Sequence, residues 1–185
     1  MEASNVGAAG VSVHLTGRIR MGRLLAVGTV EVLVENGTLG LVERSREGDV
    51  HYPDAPAGSW LRPAEGMVHA HCPSNVIDAR VRVELWEREP DGKGVWSHTE
   101  ETEVFFPAGE LCVYTLGESL PTEIELAAPG RYRVRMSWAL NPEAGPFHSP
   151  FKGQRGALEY AAAGHEAGLE GVDQYCLAQV WNLFG

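Results

Sequence analysis

Two histidines, His69 and His71, stand two positions apart in a run of residues that is typical of a β-strand. Alternate residues of a strand point to the same face, so both imidazoles could offer a nitrogen to one metal ion. A third ligand would have to come from His148, His165 or a carboxylate elsewhere in the chain. No His-x-x-x-His or Cys-x-x-Cys pair accompanies them. The pattern therefore favours a half-exposed polar strand face over a metal site, and no cofactor is predicted.

The sequence lacks the motifs that identify common enzyme classes. It contains no Gly-x-Ser-x-Gly nucleophile elbow, no Walker-type lysine after a glycine-rich loop and no Gly-x-Gly-x-x-Gly. Cys112 and Cys176 are each flanked by apolar residues, so both are predicted to be small buried side chains. We predict no catalytic residue, while an enzyme that uses paired carboxylates stays open, because distances in space are not visible in a sequence.

Acidic residues are distributed unevenly along the chain, whose formal net charge is −10. Residues 66–128 hold twelve acidic side chains against four basic ones. If neighbouring strands pair, they gather some of this charge into one acidic patch that docks a basic protein partner. The competing interpretation is a solvated outer face that keeps the sheet soluble. The predicted patch comprises Glu100, Glu101, Glu103, Glu110, Glu123 and Glu125.

The elements that must position these side chains are strands. Short β-prone runs, separated by Gly, Pro and Asn at intervals of roughly 8–12 residues, predict an all-β fold. We expect an antiparallel β-sandwich of about 8–10 strands. Asn36-Gly37, between two alternating runs, predicts a hairpin with a type I′ turn.

One later strand is predicted from a strict alternation of arginine with apolar residues over 131–138, which gives it a solvated basic face. A turn at Pro129-Gly130 precedes this strand. Across that turn, Glu123 and Glu125 are expected to face Arg131, Arg133 and Arg135.

A single domain accounts for a chain of 185 residues, because one core of that size needs neither metal nor disulfide to be stable. Residues 1–10 are predicted to form a flexible arm and residues 11–185 one sandwich domain. A stretch rich in glycine and proline, about 140–173, is predicted to be one long loop excursion from the sandwich.

Composition excludes several classes of partner. A sequence pI near 5.1 argues against binding nucleic acid or an anionic membrane surface, because both carry negative charge. No apolar run approaches the roughly 20 residues of a membrane-spanning helix, and no signal peptide is evident at the start. Three widely separated cysteines, an odd number, are typical of reduced thiols. A cytoplasmic protein is predicted.

Two segments resemble a family of small all-β bacterial proteins. LAAPGRYRVR at 126–135 and YCLAQVW at 175–181 are similar to the late strands of the competence-associated nuclease inhibitors and of actinobacterial proteins of like build. The resemblance implies a β-sandwich binding protein without catalysis. The glycine-rich stretch at 140–173 departs from a compact inhibitor, and the resemblance assigns no inhibitory contact residue.

Three functions are consistent with these patterns. The first is a non-catalytic protein-binding module, inhibitor-like or immunity-like, that docks a basic partner through its acidic face. The second is a metal- or ligand-binding β-sandwich enzyme that uses His69 and His71. The third is a self-assembling structural subunit, a homo-oligomer in which apolar strands such as 30–34 or 175–181 pair between chains.

Overall fold

Ten β-strands make up most of the chain in the computed structural model, which describes residues 22–49, 59–71, 76–92, 94–143, 160 and 162–184. The predicted all-β class is confirmed. The strands are β1 (Leu24–Glu35), β2 (Thr38–Glu43), β3 (Leu61–Ala64), β4 (Met67–His71), β5 (Val76–Trp86), β6 (His98–Phe106), β7 (Gly109–Thr115), β8 (Glu118–Leu126), β9 (Gly130–Leu140) and β10 (Gln174–Asn182).

Two short helical elements accompany the strands: a 3-10 helix at Arg44–Asp49 and one α-helical turn, α1, at Glu166–Leu169. In the part of the chain that the structure describes, no helix has the length and hydropathy needed to cross a membrane. The predicted arm at 1–10, much of the predicted excursion at 140–173, Cys72 and His148 lie outside the described residues.

The strands form one mixed sheet that nearly closes on itself and is best described as two halves. Half-sheet A has the order β6-β9-β10-β5-β1, and half-sheet B has the order β8-β7-β2-β4-β3. The halves are joined by the β1–β2 hairpin, in which a single pair, Glu35 and Thr38, is in register. Beyond that pair β2 leaves β1 and lies between β4 and β7.

The β1–β2 turn has the predicted type I′ character. Asn36 and Gly37 have φ of 51° and 67°, and a type I′ turn requires positive φ at both central residues. Asparagine and glycine are the residues that adopt this conformation at the lowest cost. The prediction of this hairpin is confirmed.

The core lies between the two half-sheets and is filled by the inward-facing residues of both. Alternation along each strand explains its composition: Val32 and Val34 of β1 face inward, whereas Glu31, Leu33 and Glu35 face outward. Smaller apolar clusters lie on the outer faces. One contains Val42, Met67, Cys112 and Tyr114 on half-sheet B, and another contains Ala139, Ala162 and Leu169 on half-sheet A.

Two seams lie where the half-sheets meet edge to edge. At the β3–β6 seam the Gly66 amide donates to the Phe105 carbonyl at 2.8 Å. The β3 strand there contains Pro63, and proline is compatible with an edge strand because its missing N–H is not needed for a ladder. At the β1–β8 seam the backbone of β8 lies against Gly28 of β1.

Two pairings differ from the sequence prediction. β10 joins β5 in parallel, the one parallel pair among the described strands, whereas a wholly antiparallel sheet was predicted. β9 pairs with β6 and β10, and β8 pairs with β7, so the expected β8–β9 hairpin is wrong. The turn at Pro129-Gly130 instead carries the chain from half-sheet B to half-sheet A, which separates Glu123 and Glu125 from the arginines of β9.

Candidate functional site

Two of the three glutamates of β6 are paired with arginine within the fold. Glu101 and Glu103 point to the outer face of half-sheet A, beside the arginines of β9. The guanidinium of Arg133 bonds Glu103 and lies 3.6 Å from Glu101, and Arg135 donates to Glu101 at 2.5 Å. Glu100 points the other way and accepts hydrogen bonds from the Ser59 hydroxyl and, at 2.9 Å, from the Trp60 amide. Glu101 and Glu103 are therefore engaged in ion pairs, and Glu100 is held by neutral donors.

Arg135 lies at the centre of a buried polar network on the same face. Only 8% of the residue is exposed, and besides Glu101 it donates to Glu89 at 2.9 Å and to the Pro90 carbonyl at 3.2 Å. Its guanidinium also lies 5.1 Å from the centre of the Trp181 ring. The sequence predicted a solvated basic face here; at Arg135 that prediction is wrong, because the segment following β5 covers it.

The β7–β8 hairpin, in contrast, carries an excess of glutamate over basic residues. Residues 109–126 contain four glutamates and no lysine, arginine or histidine. Glu110 pairs with Arg44 at 2.7 Å. The other three are exposed, and no ion pair neutralises them within the part of the chain that the structure describes: Glu118, Glu123 and Glu125.

The predicted acidic patch is thus placed in two separate parts of the fold. Glu100, Glu101 and Glu103 lie on β6 of half-sheet A. Glu110, Glu123 and Glu125 lie on the β7–β8 hairpin of half-sheet B. Since β6 pairs with β9 and the hairpin pairs with β2, the two groups share no strand pair. Of the six predicted residues, those without an ion pair among the described residues are Glu100 on β6 and Glu123 and Glu125 on the hairpin.

A bulge in β8 directs Glu123 outward. Leu111 pairs with Ile124 and Cys112 with Pro121, so two residues of β8 have no partner in β7. Thr122 turns inward, and its hydroxyl donates to the Leu111 carbonyl at 2.6 Å. Glu123 follows with φ of 63°, a conformation that a non-glycine residue adopts at a cost of roughly 1 kcal/mol or more, and its side chain is exposed.

Gly28 of β1 allows this bulge to come close. A Cβ atom at position 28 would overlap the carbonyl oxygen of Thr122 and lie 3.0 Å from its carbonyl carbon. Gly28 faces the core, as do Ala26 and Val30 on the same face of the strand. The backbone of β8 therefore lies over the inner face of β1, and Val27 points to the opposite, outer face.

Large apolar side chains are exposed at the start of β1. Leu24, Leu25 and Val27 are 40%, 48% and 44% exposed. The register of β1 against β5 shifts between Leu24 and Ala26, so Leu25 lies in a second bulge.

The two histidines of the metal hypothesis share one strand face, on β4, but differ in environment. His71 is exposed, whereas His69 is 3% exposed, and its Nδ1 lies 2.9 Å from the Tyr114 hydroxyl. His165 is on a different element, where it stacks on Trp96. Among the described residues, no three His, Cys, Asp or Glu side chains come together as a metal site.

Burial gives His69 an unusual titration. Burial, followed by the positive charge of Arg62 and by His71, lowers its pKa from 6.5 to about 4. The unfolded chain therefore binds one more proton than the folded chain between these two pH values. We expect the free energy of unfolding to decrease by roughly 2 kcal/mol as pH falls from 6.5 towards 4 on account of this residue. Urea unfolding of wild type and His69→Gln at pH 7 and pH 4.5 measures this contribution.

His71→Gln is the matched control for that experiment, since His71 lies on the same face of the same strand but is exposed. Its pH dependence is expected to stay close to that of wild type, because His71 is the last of the three causes that lower the pKa of His69. An unchanged pH dependence in His69→Gln would contradict the assignment.

Both described cysteines are free and buried, as predicted. Burial raises the pKa of Cys112 to about 11 and that of Cys176 to about 12. Since the thiolate is the nucleophilic form, neither side chain is suited to attack a substrate at neutral pH.

Part of the signal for an unpaired acidic hairpin is visible in the sequence, because no basic residue occurs in 109–126. The contact between β1 and β8 could not be predicted, because it joins residues almost a hundred positions apart in the chain.

Comparison of the sequence with protein-family models and with curated proteins finds no match. Two solved structures are similar in fold. ComJ from Bacillus subtilis, described as an inhibitor of the DNA-degrading activity of NucA, matches with a TM-score of 0.55 at 8% identity, over 89% of this chain and 100% of its own. The protein of crocagin biosynthetic gene J matches with a TM-score of 0.52 at 19% identity, over 85% and 97%. These likenesses show a shared all-β fold.

Proposed function

We propose that this chain is a protein-binding module of the inhibitor type, which docks a basic partner protein through the β7–β8 hairpin. The observation that carries the proposal is the contrast between the two acidic groups. Glu101 and Glu103 of β6 pair with Arg133 and Arg135. Glu118, Glu123 and Glu125 instead project from a hairpin that contains no basic residue, and they form no ion pair among the described residues. Unpaired carboxylates on this hairpin are available to a partner.

Electrostatics explains what such a surface does. Carboxylates that lie on one hairpin create a local negative potential that speeds the approach of a positively charged surface. They also disfavour acidic partners, because placing like charges next to each other across an interface costs on the order of several kcal/mol. A basic enzyme, such as one that binds a polyanionic substrate, is the class of partner that fits.

The fold comparison supports the inhibitor part of the proposal. ComJ, which shares this fold, inhibits a nuclease. A nuclease carries a basic surface for its substrate, so carboxylates on an inhibitor can occupy the place of phosphates. Neither a catalytic side chain nor a cofactor is needed for this activity.

Charge reversal on the hairpin tests the proposal. We expect Glu123→Lys with Glu125→Lys to weaken partner binding by about 10- to 100-fold at low salt, mainly through slower association, because the steering potential is inverted. Native mass spectrometry of the protein isolated from its own host at low salt identifies the partner. Surface plasmon resonance with that purified partner measures the rates. If the partner is a nuclease, DNA digestion in the presence of the chain measures inhibition.

The matched control is Glu166→Lys with Glu170→Lys, which changes the net charge equally at exposed residues on and next to α1. This control is expected to bind as wild type does. Equal binding by the hairpin variant, or recovery of the chain without any protein partner, would refute the proposal. A mass that is a multiple of the chain would favour the self-assembling subunit, and bound metal would favour the enzyme.

A further inference from the structure

We infer that the tip of the β7–β8 hairpin, residues 115–118, enters a cleft of the basic partner, with Leu116 as its apolar anchor and Glu118 next to a basic side chain. This inference rests on the proposed function and names the part of the hairpin that is inserted. The partner it specifies has a concave basic site with an apolar recess, as in the cleft of an enzyme that holds a polyanionic substrate.

The first observation is an exposed leucine at the apex of a tight turn. β7 ends at Thr115 and β8 begins at Glu118, so only Leu116 and Gly117 connect the two strands. Gly117 has φ of 96°, a conformation that suits glycine. Leucine is not a residue that favours turns, yet Leu116 occupies the apex and is 44% exposed. The shape of the backbone thus presents its apolar side chain to solvent.

The second observation is that the tip projects clear of the fold. A Cβ atom placed on Gly117 would have no atom of the described residues within 4 Å. Leu116, Gly117 and Glu118 are all exposed, whereas the five residues before them are all buried. A narrow projection of this kind fits a cleft better than it fits a flat surface.

The third observation is the support beneath the tip. β7 lies between β2 and β8, and Thr115 is in register with Leu39 of β2. Tyr114 is 1% exposed; its ring lies across Gly40 of β2, and its hydroxyl is 2.9 Å from Nδ1 of His69. A tip that is held in place before it binds loses little conformational entropy on binding.

The charge beside the apex selects a basic partner. Glu118 directly follows the turn, is exposed and forms no ion pair among the described residues. Because residues 109–126 contain no basic side chain, the tip and both strands below it carry charge of one sign. In protein interfaces, buried apolar anchors mainly slow dissociation and charges mainly speed association. Leu116 and Glu118 place one group of each kind at the same tip.

Charge also argues against a second copy of this chain as the occupant. A two-fold contact between two tips would place Glu118 of one copy near Glu118 of the other. Each copy carries a net charge of −10, and the hairpin has no basic residue to compensate. A basic partner removes this repulsion.

Substitution at the apex tests the inference. We expect Leu116→Ala to increase the rate of dissociation from the purified partner by about tenfold, with an association rate and salt dependence close to those of wild type. Leu116→Met keeps the apolar volume, so its dissociation rate should stay within about threefold of wild type. Surface plasmon resonance measures both rates for each variant.

Leu24→Ala is the matched control, because Leu24 is also exposed, at 40%, but lies far from the tip along the sheet. The tip lies beside the start of β2, whereas Leu24 begins β1, at the end of that strand away from the β1–β2 turn. This control should leave both rates unchanged. Thermal unfolding of every variant checks that a change in rate does not arise from loss of folding.

The mode of inhibition tests the cleft itself. The wild-type chain should raise the apparent KM of the partner enzyme for its substrate and leave kcat unchanged, because the tip and the substrate exclude each other from the cleft. Leu116→Ala should require a higher concentration, by about tenfold, for the same effect. A partner without a substrate cleft, or a decrease in kcat at unchanged KM, would overturn the insertion.

The outcomes distinguish this inference from the proposed function. If charge reversal at Glu123 and Glu125 weakens binding and Leu116→Ala does not, the inserted tip is refuted and the acidic docking surface stands. If neither variant changes binding, both fail. If the free chain is a dimer that Leu116→Ala dissociates, the tip joins two copies and the inference is wrong.

Discussion

Replacing Arg135 by alanine is expected to lower the free energy of unfolding by about 3 kcal/mol. The side chain is buried on the outer face of half-sheet A, where it binds Glu101, Glu89 and the Pro90 carbonyl. Its removal leaves these acceptors without their donor and exposes the Trp181 ring that it covers. Urea denaturation with an unchanged m-value measures the loss.

Arg133 is a close control for that experiment. It lies two residues away on the same strand and also binds two glutamates, Glu103 and the shared Glu101, but about a third of its side chain, 32%, is exposed. Exposed ion pairs contribute little, so Arg133→Ala should cost about 1 kcal/mol or less. Equal losses for the two variants would show that burial of Arg135 has no special role.

Gly28→Ala is expected to destabilise the protein by about 3 kcal/mol, because the added methyl group overlaps backbone rather than a movable side chain. Relief requires β8 to move away from β1, which also disrupts the Thr122 hydrogen bond to Leu111. Amide hydrogen exchange in β8 should therefore increase more than exchange in β9 or β10. Partner binding should weaken as well, because the bulge that presents Glu123 lies against Gly28.

The control for Gly28 is Gly92→Ala. Gly92 is exposed, and a Cβ there would lie 3.5 Å from the nearest atom, the Arg135 Nη1, an ordinary contact. The control is expected to change the free energy of unfolding by less than about 1 kcal/mol. Protection of β8 that is unchanged in Gly28→Ala would contradict the close approach of the two strands.

Local patterns predicted the strands well, since alternation and turn chemistry act over a few residues. Asn36-Gly37 specifies its turn because both residues readily adopt positive φ. The alternation in β9 identifies which of its residues face the core. Pairing between strands was harder to predict. The alternation in β8 and β9 is equally compatible with a hairpin and with the observed crossing between half-sheets, because neither strand encodes its neighbour.

The sequence also could not predict which outward-facing residues are paired or buried. Arg135 and Glu101 were both visible as charged residues on strands, yet whether each is free or paired depends on β6 lying beside β9. The burial of Arg135 depends further on a segment some 45 residues away in sequence, as its bond to Pro90 shows. Charged residues can be counted in a sequence, but which of them form ion pairs with each other depends on the fold.

The position of β10 affects how this chain matures during synthesis. β10 is the last of the described strands to leave the ribosome, yet it lies between β5 and β9 and pairs with both. A nascent chain that ends before Gln174 holds two interior strands with one neighbour missing, each presenting unpaired backbone groups. Half-sheet A can therefore be completed only after Asn182 has been synthesised, and until then the unpaired edges of β5 and β9 are sites at which the nascent chain can associate with other chains.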